Sequence, residues 1–415
     1  MSMLFDIGEI TLSLADSLDL VGVNRNYHGK RVAYLAVEIG KHVGWPEFAI
    51  HDLALAAILH DFGLSSSLEF GEFSRKDGEY PVSLGKKHAH KGWLLLNGFY
   101  PYSHLAPIVL HHHTPWRELQ EIALADSIAG MMANCICLAD FVEVSISHYP
   151  DLTILYHTWE ISRKIEKMSG SMFDPELVKI FLKLARSDAF WLNLDPRYLV
   201  ERLKPWLTQR HIMLDLPQVR QLAHLFAEVV DSKSAFTARH SLGVSQISRL
   251  LAKNLAVPSY TLDLLEIAGL LHDIGKLRIP DEILNKPGPL TQEEMSVIRR
   301  HTFDTYKILN GVQGFWGIAE WAAFHHEAPN GSGYPFGLAD PLLCLEARII
   351  STADIFQALA QHRPYRSAMP PEQIMTVMQE FVTQGKLSAV TVEIVQNNLE
   401  ECHRLALQQE SIPDP

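Results

Sequence analysis

Residues 261–275 read T-L-D-L-L-E-I-A-G-L-L-H-D-I-G. Apolar side chains recur there at i, i+3, i+4 and i+7, the period of an amphipathic helix, and the run closes on a His-Asp pair with glycine two positions on. The same signature stands earlier in the chain, where A-A-I-L-H-D-F-G (56–63) mirrors A-G-L-L-H-D-I-G (268–275). From this pair the match spreads outward. His28 and His240 each precede their His-Asp pair by 32 residues, and Pro46 sits where Pro258 does. Lys86-Lys87-His88 parallels Arg299-Arg300-His301, and each histidine is followed nine residues later by Asn-Gly. His111-His112-His113 parallels His325-His326-Glu327, with one ambiguity: a slip of one residue pairs His112-His113 with His325-His326 instead. Leu138-Ala139-Asp140 parallels Thr352-Ala353-Asp354. The offset moves only from 212 to 214 across the whole match. A period that long is no solenoid, so the chain is read as two copies of one domain.

Helical periodicity dominates elsewhere, as in H-G-K-R-V-A-Y-L-A-V-E-I-G-K-H-V (28–43) and P-Q-V-R-Q-L-A-H-L-F-A-E-V-V-D-S (217–232), and β-branched alternating runs are scarce. The expected fold is all-α: two tandem helical-bundle domains related by internal duplication, residues 1–205 and 206–415. The tail of the first copy contains polar turns at Asp174-Pro175 and Asp195-Pro196.

The 415 residues suit two or three domains. A hydrophobic fraction of 47% with 20% charged residues is a globular profile. The net charge of −12 argues against a nucleic-acid polymer as partner, since that needs a basic stripe. Four cysteines, with no CxxC, give no disulfide framework and point to a reduced, cytoplasmic setting. The N-terminus lacks a basic n-region and no stretch is expected to span a membrane.

The unusual number is 21 histidines. His240, His272, Asp273, His301, His325, His326 and Asp354 recur in order, at nearly fixed spacing, in the first copy. A helical bundle can bring such residues inward to one metal centre. Seven N/O ligands exceed what one ion takes, and the lack of cysteine among them points to iron, manganese or zinc in a two-metal site. Two such ions clamp a phosphoryl group and supply a hydroxide nucleophile, the chemistry of phosphoester hydrolysis.

The second copy resembles the HD-GYP family of bacterial cyclic-dinucleotide phosphodiesterases, over about residues 217–400. The matching residues are His240, His272-Asp273 with Lys276, the loop from Ile279 to Thr291, His301, His325-His326-Glu327 with Gly331-Ser332-Gly333-Tyr334-Pro335, Asp354, and Arg363-Pro364-Tyr365-Arg366. The resemblance implies a helical domain with two or three iron or manganese ions that opens cyclic di-GMP or 3′,3′-cyclic GMP-AMP to a linear dinucleotide. It implies seven ligands, His240, His272, Asp273, His301, His325, His326 and Asp354, with Asp273 bridging. Lys276 would hold a phosphate oxygen, Gly333, Tyr334 and Pro335 would shape a lid, and Arg363 and Arg366 would contact substrate or cap a helix. Thr291 with Glu294 reads as a capping box for the helix that delivers His301. Members with three metals carry Glu where Phe236 stands here, which favours two ions. Asn330 replaces the usual Asp and removes a carboxylate from the lid.

The first copy resembles an HD domain without the lid. His28, His60, Asp61, His88, His111, His112 and Asp140 keep the ligand pattern and could hold a metal. Leu64 stands in place of Lys276, His113 in place of Glu327, and R-E-L-Q-E (117–121) in place of the lid. That copy is expected to be regulatory, sensory or dimer-forming, which leaves room for a homodimer. An HD domain ahead of HD-GYP is similar in layout to vibrio-type phosphodiesterases for 3′,3′-cyclic GMP-AMP. The expected function is therefore a metal-dependent cyclic-dinucleotide phosphodiesterase acting through a metal-activated hydroxide. The alternatives are a non-catalytic cyclic-dinucleotide receptor and an HD hydrolase for nucleotide phosphates.

Overall fold

The computed structural model describes residues 2–18, 27–64, 82–149, 153–208, 210–231, 233, 240–362 and 367–407. Helices account for nearly all regular structure among these residues. The exception is two five-residue strands, Ser2–Asp6 and His211–Asp215, which pair as a two-stranded sheet. Each strand is too short for periodicity to betray it. Contacts divide the chain into one unit of residues 5–212 and another of residues 213–415 with residues 1–4.

In the first unit the His28–Val43 helix packs against Glu47–Leu59 and Ile128–Ile146. Gly44 ends the first of these at φ 90°, and its N–H bonds back to Gly40 and Lys41. That left-handed stop suits glycine. The Asp-Pro turns are helix starts: Asp174 accepts from Glu176 N at 2.9 Å and Asp195 from Arg197 N at 2.9 Å, with proline in the first turn of each helix.

The Ile128–Ile146 helix bears on the expectation that no stretch spans a membrane. At 19 residues and mean hydropathy 1.5 it is long and apolar enough to cross a membrane by length and composition. Here 67% of its most apolar window is buried within the protein, around Ile136, Leu138 and Val142. It also carries Asn134, Asp140 and Glu143, all buried.

The second unit repeats the plan. The His240–Asn254 helix packs against Ser259–Leu271 and Leu345–Ala360, and Gln292–Asn310 packs against Trp316–Ala323. Thr291 and Glu294 form the capping box, with Glu294 N to Thr291 Oγ1 at 3.2 Å and Thr291 N to Glu294 Oε2 at 2.7 Å.

One close backbone approach recurs in both units. A Cβ on Gly275 would lie 2.0 Å from the His301 carbonyl oxygen, and one on Gly63 would lie 2.0 Å from that of His88. The glycine after each His-Asp pair lets two backbones touch where the next histidine is delivered.

Candidate metal centres

The second unit brings all seven expected ligands into three overlapping groups, His240 with His272 and Asp273, His272 with His325 and Asp354, and His301 with His325 and His326. His240 opens its helix, His272 caps the Ser259–Leu271 helix, and Asp273 starts a 3-10 turn over Ile274–Arg278. His301 lies in mid-helix, His325 and His326 sit on the turn Phe324–His326, and Asp354 comes from the Leu345–Ala360 helix. Asp273 stands between two sets of imidazoles. Its Oδ2 is 3.2 Å from His272 Nε2 and 3.8 Å from His240 Nε2. Its Oδ1 is 3.4 Å from His301 Nε2 and 3.8 Å from His325 Nε2. Asp354 Oδ1 lies 3.1 Å from His240 Nε2 and 3.8 Å from His272 Nε2.

These residues fit divalent cations on protonation grounds. Nδ1 of His272, His301 and His325 lies 2.8, 2.6 and 2.6 Å from the carbonyl oxygens of Gly269, Ile298 and Ala322. A carbonyl only accepts, so Nδ1 carries a proton, and wherever the ring is neutral Nε2 keeps its lone pair. Asp273 raises His272 against the effect of burial, so a cation there takes the place of its second proton. Burial pulls His301 down to about 3 and His326 to about 4, and pulls His325 well below the usual range, so these rings are neutral. His301 Nε2 and His325 Nε2 then point lone pairs at each other across 3.4 Å. His272 Nε2 and Asp273 Oδ1 are buried without a hydrogen-bond partner. Burial opposes ionisation of Asp273, yet the positive charge of His272 and Lys276 holds it well below the carboxylate range, and that of His240 does the same for Asp354. Lone pairs and carboxylates converging on shared space are the protonation state of an N/O metal site.

The first unit builds the same constellation. Asp61 Oδ2 is 3.3 Å from His28 Nε2 and 3.4 Å from His60 Nε2, while Oδ1 is 3.1 Å from His88 Nε2. His60 and His112 direct Nδ1 to the carbonyls of Ala57 and Val109 at 2.7 and 2.6 Å. His88 Nε2 lies 3.2 Å from His112 Nε2 and 3.0 Å from His113 Nε2. Asp140 Oδ1 is 3.4 Å from His28 Nε2.

This geometry resolves the triple histidine and corrects its register. The ring planes of His272–His325 and His60–His112 cross at 89° and 83°, those of His301–His326 and His88–His113 at 87° and 89°. So His112 and His113 occupy the places of His325 and His326. His111 stands outside the group, half-buried, with Nδ1 3.2 Å from Thr114 Oγ1. Thr114, not His113, then matches Glu327 in the chain.

The second-unit site has features that the first lacks. The Lys276 ammonium lies 2.5 Å from Asp273 Oδ2. At the matching place Leu64 is buried, although the backbone is alike: Lys276 N and Leu64 N each reach the aspartate carbonyl at 2.8 Å. Glu327 accepts from Phe336 N at 2.6 Å, Gly337 N at 3.1 Å and Leu338 N at 2.9 Å, which folds the lid back over the histidines. Tyr334 N reaches the His326 carbonyl at 3.1 Å, the Tyr334 ring lies 5.0 Å from that of His326, and the Tyr334–Pro335 peptide is cis. A Cβ on Gly333 would sit 2.4 Å from Glu327 Cα, so glycine is required there. Asn330 has its own reason: its Nδ2 donates to the Gln384 carbonyl at 2.8 Å, a bond an aspartate cannot make. Arg363, Arg366 and Phe236 lie outside the described residues.

Sequence reasoning missed the residues that orient the ligands. Glu143 Oε2 holds His28 Nδ1 at 2.5 Å and, after the opposing effect of burial, is the main cause of a raised His28. Its spacing, one turn after Asp140, is the only signal for it. The second copy has Gln357 at that place, donating to the Ala406 carbonyl at 3.1 Å, and Gln361 Oε1 lies 3.4 Å from His240 Nδ1 instead.

Known proteins resemble this chain in sequence and fold. Residues 25–131 and 224–387 each match the HD domain. The 3′3′-cGAMP-specific phosphodiesterase 1 of Vibrio cholerae is 34% identical over 406 residues, 95% of this chain and 92% of that protein. A cyclic di-GMP phosphodiesterase response regulator of Xanthomonas campestris is 35% identical over 170 residues, 40% of this chain and 44% of its own. The crystal structure of a cyclic GMP-AMP specific phosphodiesterase of V. cholerae superposes with a TM-score of 0.68 at 25% identity, covering 96% of this chain and 98% of that one. The chain therefore belongs to the HD-domain family, in the two-domain form with a C-terminal half of the HD-GYP type that it shares with the 3′3′-cGAMP phosphodiesterases of V. cholerae.

Proposed function

We propose that the chain is a metal-dependent phosphodiesterase that opens a cyclic dinucleotide to its linear form at the C-terminal centre. The observation that carries this is the joint presence of a converging His/Asp set, Lys276 against Asp273, and the Tyr334 lid in one half, where the other half has the first alone. His240, His272, Asp273, His301, His325, His326 and Asp354 would hold two divalent ions, iron or manganese. Bound there, such ions supply a hydroxide at neutral pH and offset charge on phosphoryl oxygens. Asp273, facing both imidazole sets, would serve both ions. Lys276 offers an ammonium to a phosphoryl oxygen as charge develops. Tyr334, Gly333 and Pro335 cover a base and exclude water, and Arg363 and Arg366, outside the described residues, would either contact the substrate or cap a helix.

The relatives that run the length of this chain are named for 3′3′-cGAMP, which favours that substrate over cyclic di-GMP. We place the reaction in the cytoplasm, consistent with four cysteines that remain thiols. The half up to about residue 205 would hold its own metal through His28, His60, Asp61, His88, His112, His113 and Asp140. It would act as a regulatory, sensory or dimer-forming domain ahead of the catalytic half from 206 to 415.

The test is to incubate the manganese-loaded chain with each cyclic dinucleotide and to separate the products by chromatography. A linear product from wild type, lost together with bound metal in Asp273→Ala, is the expected result. Tight binding of the cyclic dinucleotide without turnover would make the protein a receptor instead.

A further inference from the structure

Arg299 lies on the Gln292–Asn310 helix, two residues before His301. Its guanidinium carbon stands 4.6 Å from the centre of the Tyr334 ring, and that ring is 5.0 Å from the His326 ring. A cation is therefore held one aromatic ring away from an expected metal ligand. Its neighbour Arg300 is occupied by Asp304 at 3.3 Å. Among the described residues no carboxylate pairs with Arg299.

The first copy shows what this place in the scaffold accommodates. Lys86 precedes His88 as Arg299 precedes His301, each pair 213 residues apart. In that copy the lid is replaced by the Trp116–Glu121 helix, and Glu118 reaches Lys86 at 2.8 Å. The same position thus meets an anion supplied by the chain in the half without Gly-Ser-Gly-Tyr-Pro. In the half with that lid the chain supplies a ring and leaves the charge for an outside anion.

On the reading that the substrate is a cyclic dinucleotide, we propose that Arg299 binds its second phosphodiester, the one not cut at the metals. Such a ligand carries two phosphodiesters, and only one can sit on the His/Asp set. The other presents two non-bridging oxygens to the guanidinium edge, a bidentate match that Tyr334 pre-orients from beneath. Arg299 is then a specificity-determining contact that separates a two-phosphate ring from a simple diester.

The experiment compares wild type, Arg299→Gln and Arg299→Lys in the full-length, manganese-loaded chain. Substrates are 3′3′-cGAMP, cyclic di-GMP and bis(4-nitrophenyl) phosphate, which has a single diester. For Arg299→Gln the ratio of kcat/KM on the cyclic dinucleotide to kcat/KM on the simple diester should fall at least tenfold, mostly through KM. Arg299→Lys should recover part of the ratio, and raised salt should shrink the difference. A ratio within twofold of wild type overturns the assignment, as does an equal loss on both substrates. A wild-type chain that cleaves the simple diester and neither cyclic dinucleotide would instead refute the proposed substrate class.

Discussion

Replacing Glu327 by glutamine should loosen the lid without removing any expected metal ligand. The buried carboxylate accepts three backbone N–H groups, two on Oε1 and one on Oε2. An amide keeps one acceptor oxygen and turns a donor toward the remaining N–H, so at least one bond is lost and the rest lose their charge assistance. Hydrogen bonds to charged groups contribute about 1.5–3 kcal/mol each, which puts the local cost at about 2–4 kcal/mol. With tenfold per 1.4 kcal/mol, amide exchange at Phe336, Gly337 and Leu338 should accelerate by roughly 30-fold to several hundred-fold. Hydrogen exchange followed by mass spectrometry reads this directly, and metal analysis provides the control. Unchanged protection at those amides in Glu327→Gln would refute the claim that this side chain holds the lid.

Asp273→Ala should remove both metal and turnover, the latter by more than about a thousandfold, because it takes away the carboxylate whose two oxygens face the two imidazole sets; a variant that keeps its metal content sinks the bridging role. His113→Ala should lower the metal content of the first unit while His111→Ala should not, and the reverse result would restore the discarded register. The metal-free chain should lose stability as pH falls from about 6.5 toward 4. His301, His325, His326, His112 and His113 are all held below the ordinary 6.5, so the unfolded chain binds protons there that the folded chain refuses. The raised His272 and His28 act the other way, with their stability lost as pH rises, but they are fewer. A thermal midpoint that stays level from about pH 7 to about pH 5 would contradict this balance.

What could be read before folding was whatever repeats at fixed spacing. His28, His60, Asp61 and Asp140 align with His240, His272, Asp273 and Asp354 because helix lengths are shared by the two copies. The orienting groups could not be read that way. Glu143 and Gln361 serve the same histidine position from different turns of their helices, so alignment hides what contact reveals. The triple histidine defeated spacing for a similar reason. Ring orientation and burial separate His111 from His112 and His113: Nδ1 of His112 meets the Val109 carbonyl, whereas that of half-buried His111 meets the Thr114 hydroxyl. The membrane-length helix shows the limit of composition: Ile128–Ile146 is apolar because neighbouring helices surround it.

The backbone contact at Gly275 bears on which ions the centre can exchange. The crossing there is main chain against main chain, with Gly275 N donating to Thr305 Oγ1 at 3.1 Å and Thr305 Oγ1 to the His272 carbonyl at 3.0 Å. The backbone separation of His272 from His301 is therefore a property of the frame. Were cations of different radius to bind there, the backbones that carry these imidazoles would not follow, and the adjustment would fall on the side chains of Asp273 and Asp354. Selectivity among ions of one charge then becomes a question of how far two carboxylates can swing.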